Sequence, residues 1–123
     1  MYTSKKAKSI NPLQNPGGET VYELVGKAEK SGGTGTHSLA VIVIPPGRSS
    51  EKHYHKTGEE TYYILSGSGR MVIDDHEFLL SQSQACLIQP YERHQITNDG
   101  EENLEFIAVC VPAWTPGDSF PSS

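Results

Sequence analysis

Short apolar runs, each cut off by turn residues, constrain the fold of this chain more than any other feature. Leu39–Ile44 is rich in β-branched residues and stops at Pro45-Pro46-Gly47. Thr61–Leu65 alternates and runs into Ser66-Gly67-Ser68-Gly69, and Arg70–Ile73 ends at Asp74-Asp75. Glu77–Leu80, Ala85–Ile88, His94–Thr97 and Leu104–Val111 follow, and Val21–Val25 precedes them as a short edge strand. Apolar and β-branched runs of this length, bounded by Gly, Pro, Asn and Asp, are strand signals. No window sustains the 3.6-residue period of a helix over several turns. The expectation is an all-β domain, a sandwich or barrel.

At 123 residues the chain is long enough for one domain and one modest core. Apolar residues make up only 35 %, so a subunit interface is expected to add buried area. The formal charge of -5 argues against a nucleic-acid partner, because an acidic surface repels phosphate backbones. The longest apolar runs, Leu39–Ile44 and Phe106–Val111, are too short to cross a bilayer, so no membrane role is expected. The start of the chain lacks the apolar stretch of a secretory signal. Cys86 and Cys110 both lie in strand-like runs and read as buried free thiols. Together these features make a cytoplasmic protein the expectation.

The chemistry is concentrated in two segments. His53, His55 and Glu60 lie between Gly47 and Gly67, and His94 follows in Pro90-Tyr-Glu-Arg-His94-Gln-Ile-Thr-Asn98. Side chains two apart on a strand share a face, so His53 and His55 point the same way and Tyr54 points the other. Three imidazoles and a carboxylate suit a divalent transition metal, and Fe, Mn, Ni, Zn and Cu all accept that donor set. His94 is expected on a wall opposing the His pair.

These residues meet a known pattern, and the chain resembles the cupin superfamily. The first cupin motif runs Gly, five residues, His-x-His, three or four residues, Glu, six residues, Gly. Gly47, His53, His55, Glu60 and Gly67 satisfy every term. Glu59 fits the histidine spacing but not the final glycine, and reads as a solvent-facing neighbour. In the second motif His94 and Asn98 match, whereas Ser83, Gln89 and Tyr91 stand at the Gly, Pro and Gly positions.

The resemblance implies a double-stranded β-helix, or jelly-roll barrel, over residues 21–115, with one metal ion near a barrel mouth held by His53, His55, Glu60 and His94. It also implies a homodimer in which the N-terminal arm, residues 1–20, is exchanged between partners. Residues 116–123 form a C-terminal tail. Tyr62, on the face of Glu60, is the candidate catalytic side chain beside the ion, with Tyr91 and Arg93 near the rim. Arg93 is expected to pair with Glu92 or Glu101.

Two functions follow from the resemblance. One is a metal-dependent enzyme acting on a small polar or oxygenated molecule by isomerase, lyase or dioxygenase chemistry. The other is a non-catalytic module whose metal anchors a small ligand or the fold. A catalyst needs a further acid or base, and the sequence offers no uncommitted carboxylate that can be placed inside.

Overall fold

A computed structural model of the chain describes residues 4–123; the first three residues of the N-terminal arm lie outside the described part. The strands in chain order are β1 (Leu13–Gln14), β2 (Thr20–Val25), β3 (Ser38–Ile44), β4 (His53–Tyr54), β5 (Glu59–Ser66) and β6 (Ser68–Ile73). They continue as β7 (His76–Ser81), β8 (Ala85–Ile88), β9 (His94–Thr97), β10 (Leu104–Val111) and β11 (Phe120–Pro121). Every predicted strand is present, with ends shifted by a residue or two. The very short β1 and β11 were not predicted, because two residues carry no readable alternation.

The strands form two facing antiparallel sheets, a jelly roll. One has the order β1-β2-β3-β10-β5-β8, the other β11-β4-β9-β6-β7. Alternation decides which side chains meet between them. On β3, Ser38, Ala40, Ile42 and Ile44 point inward, and on β10 Leu104, Phe106, Ala108 and Cys110 do. Their register sets Ile44 against Leu104, Ile42 against Phe106, Ala40 against Ala108 and Ser38 against Cys110. Ile64, Met71, Ile88 and Ile96 complete the dense end of the core. Burying each such side chain stabilises the fold by about 1.5–3 kcal/mol.

Within the described part of the N-terminal arm, Leu13 pairs with Val21 and Gln14 with Thr20. The tail folds back too, with Phe120 opposite Tyr54 and Pro121 opposite His53.

The motif positions explain the turns. Gly67 has φ 78°, and a Cβ there would stand 2.6 Å from the Asn103 carbonyl oxygen, so only glycine fits. Ser83 and Tyr91, at motif glycine positions, adopt φ 69° and 71°. The backbone thus keeps the left-handed turn without glycine, at a strain cost of about 1–2 kcal/mol each. Asn98 closes the motif structurally. Its side-chain amide donates to the carbonyls of Ile44 (2.8 Å) and Glu102 (2.7 Å), and its Oδ1 accepts from the Gly100 N–H (3.0 Å).

Candidate metal centre

His53 on β4 lies directly opposite His94 on β9, with ring centroids 4.2 Å apart. His55, one residue past β4, turns to the same interior, and Glu60 reaches in from β5. The expected position of His94 is therefore corrected. It sits beside His53 in the same sheet, and Glu60 is the group that comes from the facing one. Side-chain donor atoms of the four residues all lie within 4.8 Å of one another. Glu60 is buried and Glu59 exposed, as alternation along β5 requires.

Each imidazole is oriented by a backbone carbonyl. Nδ1 of His53, His55 and His94 lies 2.7, 2.8 and 2.9 Å from the oxygens of Glu51, Asp118 and Glu92. A carbonyl only accepts, so each Nδ1 carries a proton, and the neutral ring turns an Nε2 lone pair inward. Nε2 of His55 and of His94, together with Glu60 Oε1, are buried without a hydrogen-bond partner. His55 and His94 Nε2 stand 3.4 and 3.5 Å from Glu60 Oε1, in ion-pair range but too far for a good hydrogen bond. Each orphaned polar atom costs about 1–3 kcal/mol. A shared divalent ion would satisfy all of them, so the residues present fit one.

The electrostatics favour the same occupant. Burial, reinforced by the neighbouring His94, pushes His53 down to about 4, so it stays neutral and ready to coordinate. Burial works against ionised Glu60, but the imidazoles of His55 and His94 beside it outweigh that and hold the carboxyl at about 2. Burial also lowers His55, yet the Glu60 carboxylate and the Asp118 carbonyl raise it overall. Protons therefore compete for His55 at higher pH than for a free imidazole.

Asp118, unnoticed in the sequence, is the tail's fastening point. Its carboxylate accepts from the backbone N–H groups of Lys56 (2.9 Å), Thr57 (3.1 Å) and Gly58 (2.9 Å), the loop joining His55 to Glu60. Burial opposes its charge, but these N–H groups hold its carboxyl below the ordinary range. An outer stack helps to hold the tail: Tyr54 lies on Phe120 with centroids 5.4 Å apart, and Lys56 Nζ stands 4.3 Å from the Phe120 ring centroid. Arg93 is on that stack as well, 3.9 Å from the Tyr54 ring centroid, and donates to the Tyr91 carbonyl (2.8 Å) rather than pairing with Glu92 or Glu101.

His53, His55 and Glu60 line a cavity of about 250 Å³, and the fully buried His94 lies beside His53. Tyr62 lines it, 2 % exposed, with its ring 4.5 Å from Phe106 and edge-on to His94 at 6.2 Å between centroids. Burial, with Glu60 and Glu19 adding to it, raises the phenol well above its ordinary range, so Tyr62 keeps its proton and is not a base. Cys110 also lines the cavity, but burial and the Glu60 charge push its thiol up to about 12, which leaves it unreactive. Both cysteines are free. His37 and His76 are exposed and stand apart from the cluster.

Sequence reasoning missed one interior carboxyl. Glu19 is 6 % exposed and lines the same cavity. Glu19, Val21 and Glu23 all face it, a period of two that was readable, but Glu19 was hidden behind Asn15-Pro16-Gly17-Gly18. That stretch is the turn between β1 and β2, closed by the Gly18 N–H donating to the Asn15 carbonyl at 3.0 Å.

A double-stranded β-helix with three histidines and a glutamate converging at one mouth defines a recognised class of small β-barrel. The cupin domain family matches residues 40–110, more than half of the chain, and the protein belongs to it. An uncharacterised protein of Methanocaldococcus jannaschii is 34 % identical over 82 residues, 67 % of this chain and 66 % of that one. An oxalate-binding protein of Thermotoga maritima is 35 % identical over 73 residues, 59 % of this chain and 60 % of that one. The chain thus spans slightly less than two thirds of the length of these curated relatives. The polyketide cyclase RemF of Streptomyces resistomycificus superposes with a TM-score of 0.81 at 19 % identity, over 100 % of this chain and 87 % of that one, a likeness of fold alone. Among the described residues no helix is long and apolar enough to cross a membrane.

Proposed function

We propose that the protein holds one divalent transition metal through His53, His55, Glu60 and His94, and acts as a metal-dependent enzyme on a small oxygenated molecule. Isomerase, lyase and dioxygenase chemistry all suit such a centre. The observation that carries this reading is the set of buried, unpartnered donor atoms beside an open cavity. Bound there, the ion would supply Lewis-acid polarisation of a carbonyl or activation of water. The chain's own residues do the rest. Tyr62 presents a neutral hydroxyl beside the ligands, and the carbonyls of Glu51, Glu92 and Asp118 fix the imidazoles.

A non-catalytic ligand-binding role is the second reading, favoured by the likeness to an oxalate-binding protein. Glu19 weighs toward catalysis, since it supplies the interior carboxyl that a binding module does not need. The deciding experiment loads the protein in turn with Fe, Mn, Ni, Zn and Cu and assays turnover of hydroxy- and keto-compounds. Turnover with one metal and none without it supports the enzyme. Tight binding with no turnover in any metal form supports the module.

The protein is further proposed to work as a cytoplasmic homodimer. The free thiols accord with a reducing compartment. The outer face of the six-stranded sheet carries Tyr63, Leu65, Leu87 and Val111, all exposed, and an apolar face of this kind suits a second copy. A single-chain mass in sedimentation would remove the dimer.

A further inference from the structure

The cavity wall has a charge pattern that bears on what it can admit. Besides the proposed ligands, the acidic residues Glu19, Glu23 and Glu51 line it, and no lysine or arginine does. The nearby cations are turned elsewhere. Arg48 donates to the Gly17 carbonyl (3.2 Å), Lys27 and Lys30 line the adjoining outer pocket that shares Glu23, and Arg93 lies on Tyr54. A divalent ion whose charge is half neutralised by Glu60 gives this wall no excess of positive charge. A small dianion would meet carboxylates in a partly desolvated space, where like charges repel far more strongly than in water.

The remaining wall is largely apolar, with Val21, Ile42, Trp114 and Phe120 prominent. A volume of about 250 Å³ exceeds what a two-carbon dicarboxylate fills and accommodates a ring. Glu19 is the built polar contact on this wall. Asn15 donates to one of its oxygens at 2.5 Å, which fixes the carboxyl and leaves the other oxygen for a ligand. Burial raises it from the ordinary carboxylate range; the Asn15 amide and His94 oppose this, while Glu60 and Glu51 reinforce it.

We infer that the cavity selects an uncharged, ring-sized molecule bearing a hydroxyl or carbonyl, oriented by Glu19, and turns away small dicarboxylates. This specifies the substrate class of the proposed metal site and rests on that reading for the position of the ion. Calorimetric titration with two probes, resorcinol and oxalate, tests it on the metal-free and zinc-loaded full chain. Resorcinol is expected to bind both forms, and to bind the loaded form at least about tenfold tighter than oxalate does. Glu19→Ala is expected to weaken resorcinol about tenfold, the value of one hydrogen bond to a carboxyl, with zinc content unchanged. Glu19→Gln keeps the shape and a hydrogen-bonding amide, so it retains most of the affinity and guards against a folding defect. Oxalate binding the loaded chain as tightly as resorcinol would overturn the inference. So would resorcinol failing to bind, or binding Glu19→Ala as well as it binds wild type. Failure to take up zinc would instead count against the metal site, and the metal-free titrations would still test Glu19.

Discussion

At one end of the barrel β3 and β10 set Ile44 against Leu104 and Ile42 against Phe106; further along, the same two strands set Ala40 against Ala108 and Ser38 against Cys110. The change in side-chain size turns a packed interior into a cavity without any change in backbone pairing. Large aliphatic and aromatic side chains hold the two sheets together at the dense end. At the other end the small residues leave room, and His53, His55, Glu60 and His94 occupy it at the cost of buried, unpartnered polar atoms. Stability is therefore concentrated at the dense end and chemistry at the open one.

The largest effect should come from the dense end. Leu104→Ala is expected to cost about 2–5 kcal/mol, seen as a lower denaturant midpoint, with metal affinity unchanged. Ala108→Leu adds volume at the open end, where space exists, and should cost less than about 1 kcal/mol while blocking small-ligand binding. Equal losses from the two substitutions would erase the contrast between the ends.

A smaller effect belongs to the tail. Asp118→Ala removes the acceptor of three backbone N–H groups and should cost about 1 kcal/mol. The folded state holds the Asp118 carboxyl below its ordinary value of about 3.9. Its contribution is complete above that value and disappears as pH falls through the folded-state one. Wild type and variant should then converge in stability in acid; a gap that persists there would show that the carboxylate charge is not what fastens the tail.

The smallest expected effect is a gain. Ser83→Gly relieves a left-handed conformation at φ 69° and should stabilise the chain by up to about 1 kcal/mol in chemical denaturation. A loss would mean that the Ser83 side chain contributes more than its backbone strain costs.

Much of this was legible in the residues. Alternation marked the long strands, and the spacing from Gly47 to Gly67 marked His53, His55 and Glu60. Alternation also separated buried Glu60 from exposed Glu59. What escaped depends on contacts distant in sequence. His94 pairs with His53 through strand register, which no local pattern encodes. Asp118 reaches across some sixty positions to the loop at Lys56, from a stretch of Pro, Gly and Ser that reads as a loose tail. Glu19 lay in a segment read as an exchanged N-terminal arm, and the β1–β2 turn is what aims it inward. Tyr91 shows a limit of another kind: a residue that rarely takes positive φ does so here, because its N–H donates to the His55 carbonyl at 2.7 Å and its neighbours hold the turn.

The central claim is that three imidazoles and Glu60 bind one divalent ion, and a zinc titration tests it most directly. One equivalent should bind the wild-type chain tightly at about pH 7.5, and affinity should fall steeply by about pH 5, where protons compete for imidazole nitrogens. The His53→Ala, His55→Ala double variant should remain a folded barrel and bind almost none. Full occupancy in that variant, or an affinity indifferent to pH across this range, would contradict the account.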